Sequence, residues 1–271
     1  MITYFPFAML AAAAGAEHAE EEESLAEVLI HHVSNHDYPS LAHWGMSKGV
    51  VMMLIAAAFL IVLTSWFFRK SRISNGAPKG VTNALEYLVL FVRDEIAIAH
   101  MGPKFGRMFT PFLLTLFFFI LSCNLLGLIP GAYTATSNVN MTGALALITL
   151  ALIIISGLIV QGPLGYIKHM VPEGTPLPLA PLLIFIETLS TLVKPVALTI
   201  RLGANMMAGH IVILVMISFI FIFKSILVGI FLAVPLAVAM YLLEIIVALI
   251  QAYVFTLLTA LFVGMVVHSP H

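Results

Sequence analysis

Charge is scarce in this chain. Of its 271 residues only 9% are Asp, Glu, Lys or Arg, against about 25% in soluble globular domains. Together with 61% hydrophobic residues and a mean hydropathy of +1.09, that scarcity excludes an ordinary water-soluble domain and intrinsic disorder, and it places the chain in a membrane. An excess of either sign is missing as well. Twelve Lys and Arg balance thirteen Asp and Glu for a net charge of −1, which argues against a general nucleic-acid binder. The single cysteine, Cys123, sits in an apolar run, so neither a disulfide framework nor a cysteine zinc site is available.

What is present is a series of long apolar runs. Residues 1–16 are apolar but too short to span a bilayer, and the acidic run 20–23 follows. The Ala-Gly-Ala ending at Ala16 fits a signal-peptidase site, whereas the absence of a basic n-region speaks against one, so both readings stand. The remaining leader, to residue 47, is acidic, polar and His-bearing. Residues 49–68 are twenty uncharged residues in a row, a transmembrane helix with Trp66 at its interfacial end.

Arg69, Lys70, Arg72, Lys79, Arg93, Lys104 and Arg107 follow before the next apolar run. Positive residues stay on the cytoplasmic side, so the leader, 1–47, is expected to be extracytoplasmic and the membrane domain to occupy 48–271. Within the basic segment Val81, Leu85, Leu88, Val92 and Ile96 recur at steps of three and four, which predicts an amphipathic surface helix over about 78–100. No charge occurs from 108 to 167, and Pro130, Gly131 and the polar stretch 134–140 divide this run into an antiparallel hairpin of helices, about 108–128 and 143–160.

A Pro-rich loop, 171–181, leads to two further apolar segments, 182–223 and 225–267. Each is about twice the roughly 20 residues that a bilayer core requires, so each must be strongly tilted, broken or partly outside the membrane, with Pro195, Gly203, Gly209 and Pro235 as places to bend. The expected fold is all-α and polytopic, with about five transmembrane helices and a cytoplasmic C-terminus.

Ionisable groups at membrane depth cost from about 2.5 to over 10 kcal/mol, which makes them functional candidates. The last two segments hold Glu187, Lys194, Arg201, His210 and Glu244, with Asn205 and Gln251 as neutral companions. At about 100° per residue, Glu187, Ser190, Lys194, Arg201 and Asn205 form one stripe, while Glu244 and Gln251 share a face of the last helix. Arg201 is a permanent cation that needs a carboxylate or water partner, and a structural ion pair with Glu187 or Glu244 is one such arrangement. Glu244 and His210 can exchange protons near neutral pH where their surroundings tune them. Lys194 has the reach to snorkel to the interface.

Two other patterns carry no site. His31, His32 and His36 lack fixed metal-ligand geometry, so no metal is expected. Residues 45–49 match G-x-S-x-G, but at the mouth of a transmembrane helix rather than in the strand-turn-helix setting that a nucleophile elbow requires.

The stretch PEGTPLPLAPLLIFIETLSTLVKPVALTIRLGANMMAGH (172–210) resembles the subunit a family of the F-type ATP synthases. NLLGLIPG (124–131) and EIIVALIQAYVFTLLTALFV (244–263) look like the same family in the same order. The resemblance covers roughly residue 48 to the C-terminus, and the RL-x-x-N-x-x-AGH run is its most specific part.

The resemblance implies a proton-conducting stator with no cofactor and no nucleotide chemistry of its own, and since no Arg-rich transit segment appears, a bacterial plasma membrane is expected, with an organelle-encoded chain as the alternative. Its partners would be a ring of subunit c, the peripheral-stalk subunit b, protons and the bilayer. It further implies that the last two helices are long and tilted against the ring, and that Arg201 faces the ring carboxylate between two aqueous half-channels. Asn205 and Gln251 match the polar neighbours of that Arg, His210 and Glu244 the pair in the outer half-channel, and Glu187 an acidic position of the inner one. The rival readings are a secondary carrier that uses the stripe as a substrate site, and a non-conducting anchor.

Overall fold

The computed structural model describes residues 48–73, 80–129, 135–169, 175–222, 227 and 229–267. The acidic leader with its His residues, the G-x-S-x-G stretch up to Ser47, Pro130, Gly131, residues 171–174 of the Pro-rich loop and Lys224 lie outside the described residues. Among the described residues every regular element is helical: α1 (Lys48–Ile73), α2 (Val81–Phe91), a π-helical stretch (Val92–Ile98), α3 (Ala99–Gly127), α4 (Val139–His169), α5 (Ala180–Ile222) and α6 (Val234–Val267). Short 3-10 turns at Ala135–Ser137 and Leu177–Leu179 precede α4 and α5, and a π turn at Gly229–Ala233 precedes α6. Among the described residues five stretches are long and apolar enough to cross a membrane, in line with the about five expected.

Two Gly-Pro pairs decide where the spans begin and end. Gly102 has φ 71° and ψ 171°, Gly162 has φ 71° and ψ 167°, and Pro103 and Pro163 follow them. A proline excludes the helical conformation from the residue before it, and positive φ with extended ψ is open to glycine because it has no Cβ. The surface helix therefore stops at Met101. The next span starts at Pro103, where the absent N–H costs nothing, and so takes Lys104 and Arg107 into its first turns. The second arm of the hairpin starts at Val139 and runs unkinked to Gln161.

α5 is 43 residues long and helical through Pro195, Gly203 and Gly209. A break at those positions is thereby removed from the three ways of fitting so long a segment. The irregular turn before α6 lies beside Pro235, which cannot donate to the helical ladder.

The chain divides into two compact units. One comprises Gly49–Met206 and Glu244–His271. Its core brings Val92, Ile96, Ala97 and Met101 of the surface segment together with Leu113, Phe117 and Ile120 of α3, Ile153 of α4, Leu198 and Leu202 of α5, and Phe255, Ala260 and Val263 of α6. The later part of the amphipathic stripe is thus covered by protein: Val92 and Ile96 are fully buried, Leu85 and Leu88 are half-buried, and Val81 is exposed.

On the opposite side of this segment the Arg93 guanidinium donates two hydrogen bonds of 2.8 Å to the Asp94 carboxylate. That pairing holds the Asp94 carboxyl below its usual range, so whatever it contributes is present at neutral pH and lost only as the pH falls through the lowered value. Both side chains are exposed, and the contribution is correspondingly slight. The other unit comprises Met1–Lys48 and Met207–Leu243, and in it Gly229 and Ala233 are buried at the π turn.

In the larger unit the inward face of α6 carries Ala248, Gln251, Ala252, Phe255, Thr256, Thr259, Ala260 and Gly264. Mostly small residues at helical spacing allow close helix approach where lipid offers no hydrophobic drive to pack. Opposite them Asn124, fully buried, accepts a 2.7 Å hydrogen bond from the Thr136 hydroxyl and donates to the Ala248 carbonyl at 3.3 Å. Asn124→Ala leaves the buried Thr136 hydroxyl unmatched and is expected to cost about 1–3 kcal/mol. Thermal denaturation of the solubilised protein should show that loss, and part of it should return when Thr136→Val removes the orphaned group.

Candidate functional site

Helical spacing places the polar stripe of α5 on one face, and within the larger unit that face borders a cleft of about 540 Å³. Ser190, Lys194 and Arg201 line it together with Ile186, Leu189 and Val193 of the same helix and Leu258 and Phe262 of α6. Two cations thus stand in largely apolar walls. The half-buried Lys194 places its ammonium 5.0 Å from the centre of the Phe262 ring, an attraction of about 0.5–2 kcal/mol that holds the side chain against the wall of the cleft.

Arg201 is exposed, and no carboxylate among the described residues lies within ion-pair distance of it. The structural ion pair with Glu187 or Glu244, one of the arrangements open from the sequence, is therefore not formed. One turn along, the Asn205 side chain donates a 3.3 Å hydrogen bond to the Gln251 carbonyl oxygen, joining α5 to α6. Gln251 itself is 3% exposed.

Glu244 is equally buried, at 3% exposure, and shares the inward face of α6 with Gln251 as their separation of seven predicts. Glu187 is exposed near the start of α5. His210 falls on α5, and its side chain is outside the described residues. The structure thus gathers Lys194 and Arg201 in the cleft, with the Asn205–Gln251 pair one turn beyond Arg201. Among the described residues no group of His, Cys, Asp and Glu is arranged to hold a metal ion.

Sequence reasoning overlooked Phe262, Asn124 and Gln161. Phe262 gives no local signal, because one aromatic in an apolar helix is indistinguishable from a lipid-facing one. Asn124 and Gln161 are amides within the uncharged run 108–167, and a search for charges passes over them although an amide in an apolar helix carries a related desolvation cost.

Comparison with known proteins shows the family. The family described as "ATP synthase A chain" matches residues 50–264. The "ATP synthase subunit a 2" of Chlorobaculum tepidum is 41% identical, over 96% of this chain and 78% of that protein. The "ATP synthase subunit a" of Anaeromyxobacter dehalogenans is 40% identical over 95% and 76%, and that of Myxococcus xanthus 44% identical over 83% and 74%. The match runs through both arms of the hairpin and both long helices, including every residue of the cleft and the Asn205–Gln251 pair, and the chain belongs to the ATP synthase A chain family.

Proposed function

We propose that this chain is the proton-conducting stator of a rotary ATP synthase, and that Arg201 meets a carboxylate carried by a ring of subunit c. One observation supports this above the others: a permanent cation is exposed on an apolar helix with no anionic partner among the described residues. At membrane depth such a charge needs a counter-charge, and the exposed apolar side chains around it, Leu189, Val193, Val196 and Ile200, suit a hydrophobic partner surface. The ring supplies both, its carboxylate the counter-charge and its outer helices the apolar surface.

The mechanism follows from charge and solvation. A proton enters an outer half-channel by way of Glu244 and His210 and neutralises the ring carboxylate, which then enters lipid without a buried charge. Rotation brings another carboxylate to an inner half-channel at Glu187, where its proton departs. Arg201 favours the ionised carboxylate as it passes and blocks direct proton flow between the half-channels. Asn205 and Gln251 brace the two long helices beside it. Each proton crossing 100 mV supplies about 2.3 kcal/mol to the ring. The nucleotide chemistry belongs to other subunits, and subunit b anchors the stator.

The basic segment is assigned to the cytoplasmic side of a bacterial plasma membrane and residues 1–47 to the outside. The last helix is assigned a cytoplasmic end, supported by the approach of Gly264 to the backbone of His100 and Met101. Reconstitution provides the test. Liposomes holding this chain with the ring should conduct protons, and the chain alone should not. Glu244→Gln, which removes the titratable group with little change of shape, is expected to reduce that conductance at least about tenfold. Solute exchange by the chain alone would instead establish a carrier.

A further inference from the structure

The proposed route gives no task to Lys194, the second cation lining the cleft. Seven residues separate it from Arg201, so the two share a face of α5 and stand about 10 Å apart along the helix axis. Ser190 is the other polar residue that α5 brings to the cleft, and α6 adds the neutral Leu258 and Phe262. The charged residues lining the cleft are thus both positive. No carboxylate among the described residues lies within ion-pair distance of either.

Lysine carries its charge on a long, flexible stem, so an ammonium that acts at one place has to be held there. Phe262 does so: Nζ lies 5.0 Å from the centre of its ring, and the lysine side chain is half-buried. The charge is thereby fixed beside Ile186, Leu189 and Val193, and a hydrophobic surface laid on these side chains excludes the water that would screen it.

Along α5 Lys194 lies between Glu187 and Arg201, seven residues from each. It therefore stands on the side of Arg201 assigned to the inner half-channel. At a separation of about 10 Å and an effective dielectric constant of about 20, a unit charge changes the proton affinity of a carboxylate roughly tenfold, about one pH unit.

We propose that Lys194 is a second charge acting on the ring carboxylate, lowering its proton affinity on the inner side of Arg201 and so favouring release of the proton there during synthesis. Lys194 neither gives nor takes the proton. Held by Phe262, it acts through its charge. This role rests on the reading of Arg201 as the residue that meets the ring carboxylate, and Arg201→Ala tests that reading separately.

Inverted vesicles carrying the assembled complex turn the inner side to the medium, so the medium sets the pH at which the ring carboxylate takes up its proton during ATP-driven pumping. Pumping is scaled to the ATP hydrolysis of the detached catalytic subunits at the same pH. It falls as the medium pH rises through the affinity of that carboxylate. Removing a cation raises the affinity, so the fall is expected about one pH unit higher in Lys194→Gln than in the parent complex. Lys194→Arg keeps the charge and should bring the fall most of the way back. Phe262→Leu keeps an apolar wall but frees the ammonium, and its shift should have the same sign and be smaller.

With Arg201→Ala unable to pump, an unshifted Lys194→Gln profile, a shift to lower pH, or a Lys194→Arg profile equal to that of Lys194→Gln would overturn this role alone. An unshifted Phe262→Leu beside a shifted Lys194→Gln would overturn the hold by Phe262. Full pumping by Arg201→Ala would overturn the ring reading and this role with it. Should Lys194→Gln not assemble, Lys194→Met removes the same charge from a side chain of similar length and carries the same expectation.

Discussion

Complexes carrying Arg201→Ala are expected to assemble, to hydrolyse ATP and to pump no measurable protons. An adjacent cation shifts the protonation equilibrium of a carboxylate by about one to three pH units, so its removal changes the ionised fraction of the ring carboxylate roughly 10- to 1000-fold at the point where that form is required. Because Arg201 is exposed, no ion pair or buried contact of the larger unit goes with it, and the expected loss is one of function rather than of fold. Arg201→Lys should rescue only part of the activity. Its ammonium is a hydrated point charge that can lose its proton, whereas guanidinium cannot. Quenching of a pH-sensitive dye in inverted vesicles reads both variants, and full pumping by Arg201→Ala would remove the channel reading altogether.

The second large effect is structural. Gly264 of α6 lies so close to the end of the surface segment that an added Cβ would run into the His100 carbonyl oxygen and stand 3.0 Å from its carbon. Both neighbours are backbone atoms, so no side-chain rotation relieves the clash and the helix must move. Gly264→Ala is therefore expected to destabilise the protein by about 1–3 kcal/mol, and Gly264→Leu to prevent assembly. Gly143→Ala is the matching control. Its nearest contact would be Thr199 Cγ2 at 4.0 Å, ordinary packing, and a helical alanine gains about 0.5–1 kcal/mol over glycine. The amount of each variant in purified complexes and its thermal midpoint give the comparison, and equal behaviour of the two variants would contradict the close approach.

Much of the fold and of the cleft is legible in the order of the amino acids. The uncharged run 49–68 announces α1 because bilayer thickness sets the length of a span. The polar stripe of α5 and the shared face of Glu244 and Gln251 follow from the helical period alone; Ser190, Lys194 and Arg201 of the stripe line one cleft, and Glu244 and Gln251 are both buried on α6. Helix ends are less legible. The span expected from residue 108 begins at Pro103, because the governing feature is a glycine at positive φ before a proline, and two residues leave no mark on a hydropathy pattern. The surface helix is expected from its periodicity to offer its apolar stripe to lipid, yet Val92 and Ile96 are covered by protein. Lipid and a protein core demand the same apolar side chains, so periodicity cannot tell them apart.

The sequence by itself determined that this is a helical membrane protein of about five spans with a few ionisable groups in its apolar segments, since run length, period and charge are properties of neighbouring residues. Only the tertiary structure decided which of those groups meet. Lys194 goes to Phe262, Asn205 to Gln251 and Asn124 to Ala248, while Arg201 stays exposed with no carboxylate beside it among the described residues. Those pairings join residues distant along the chain, and they depend on how closely helices approach, which is set by small residues such as Gly264 and Ala248 on faces that one helix alone cannot assign.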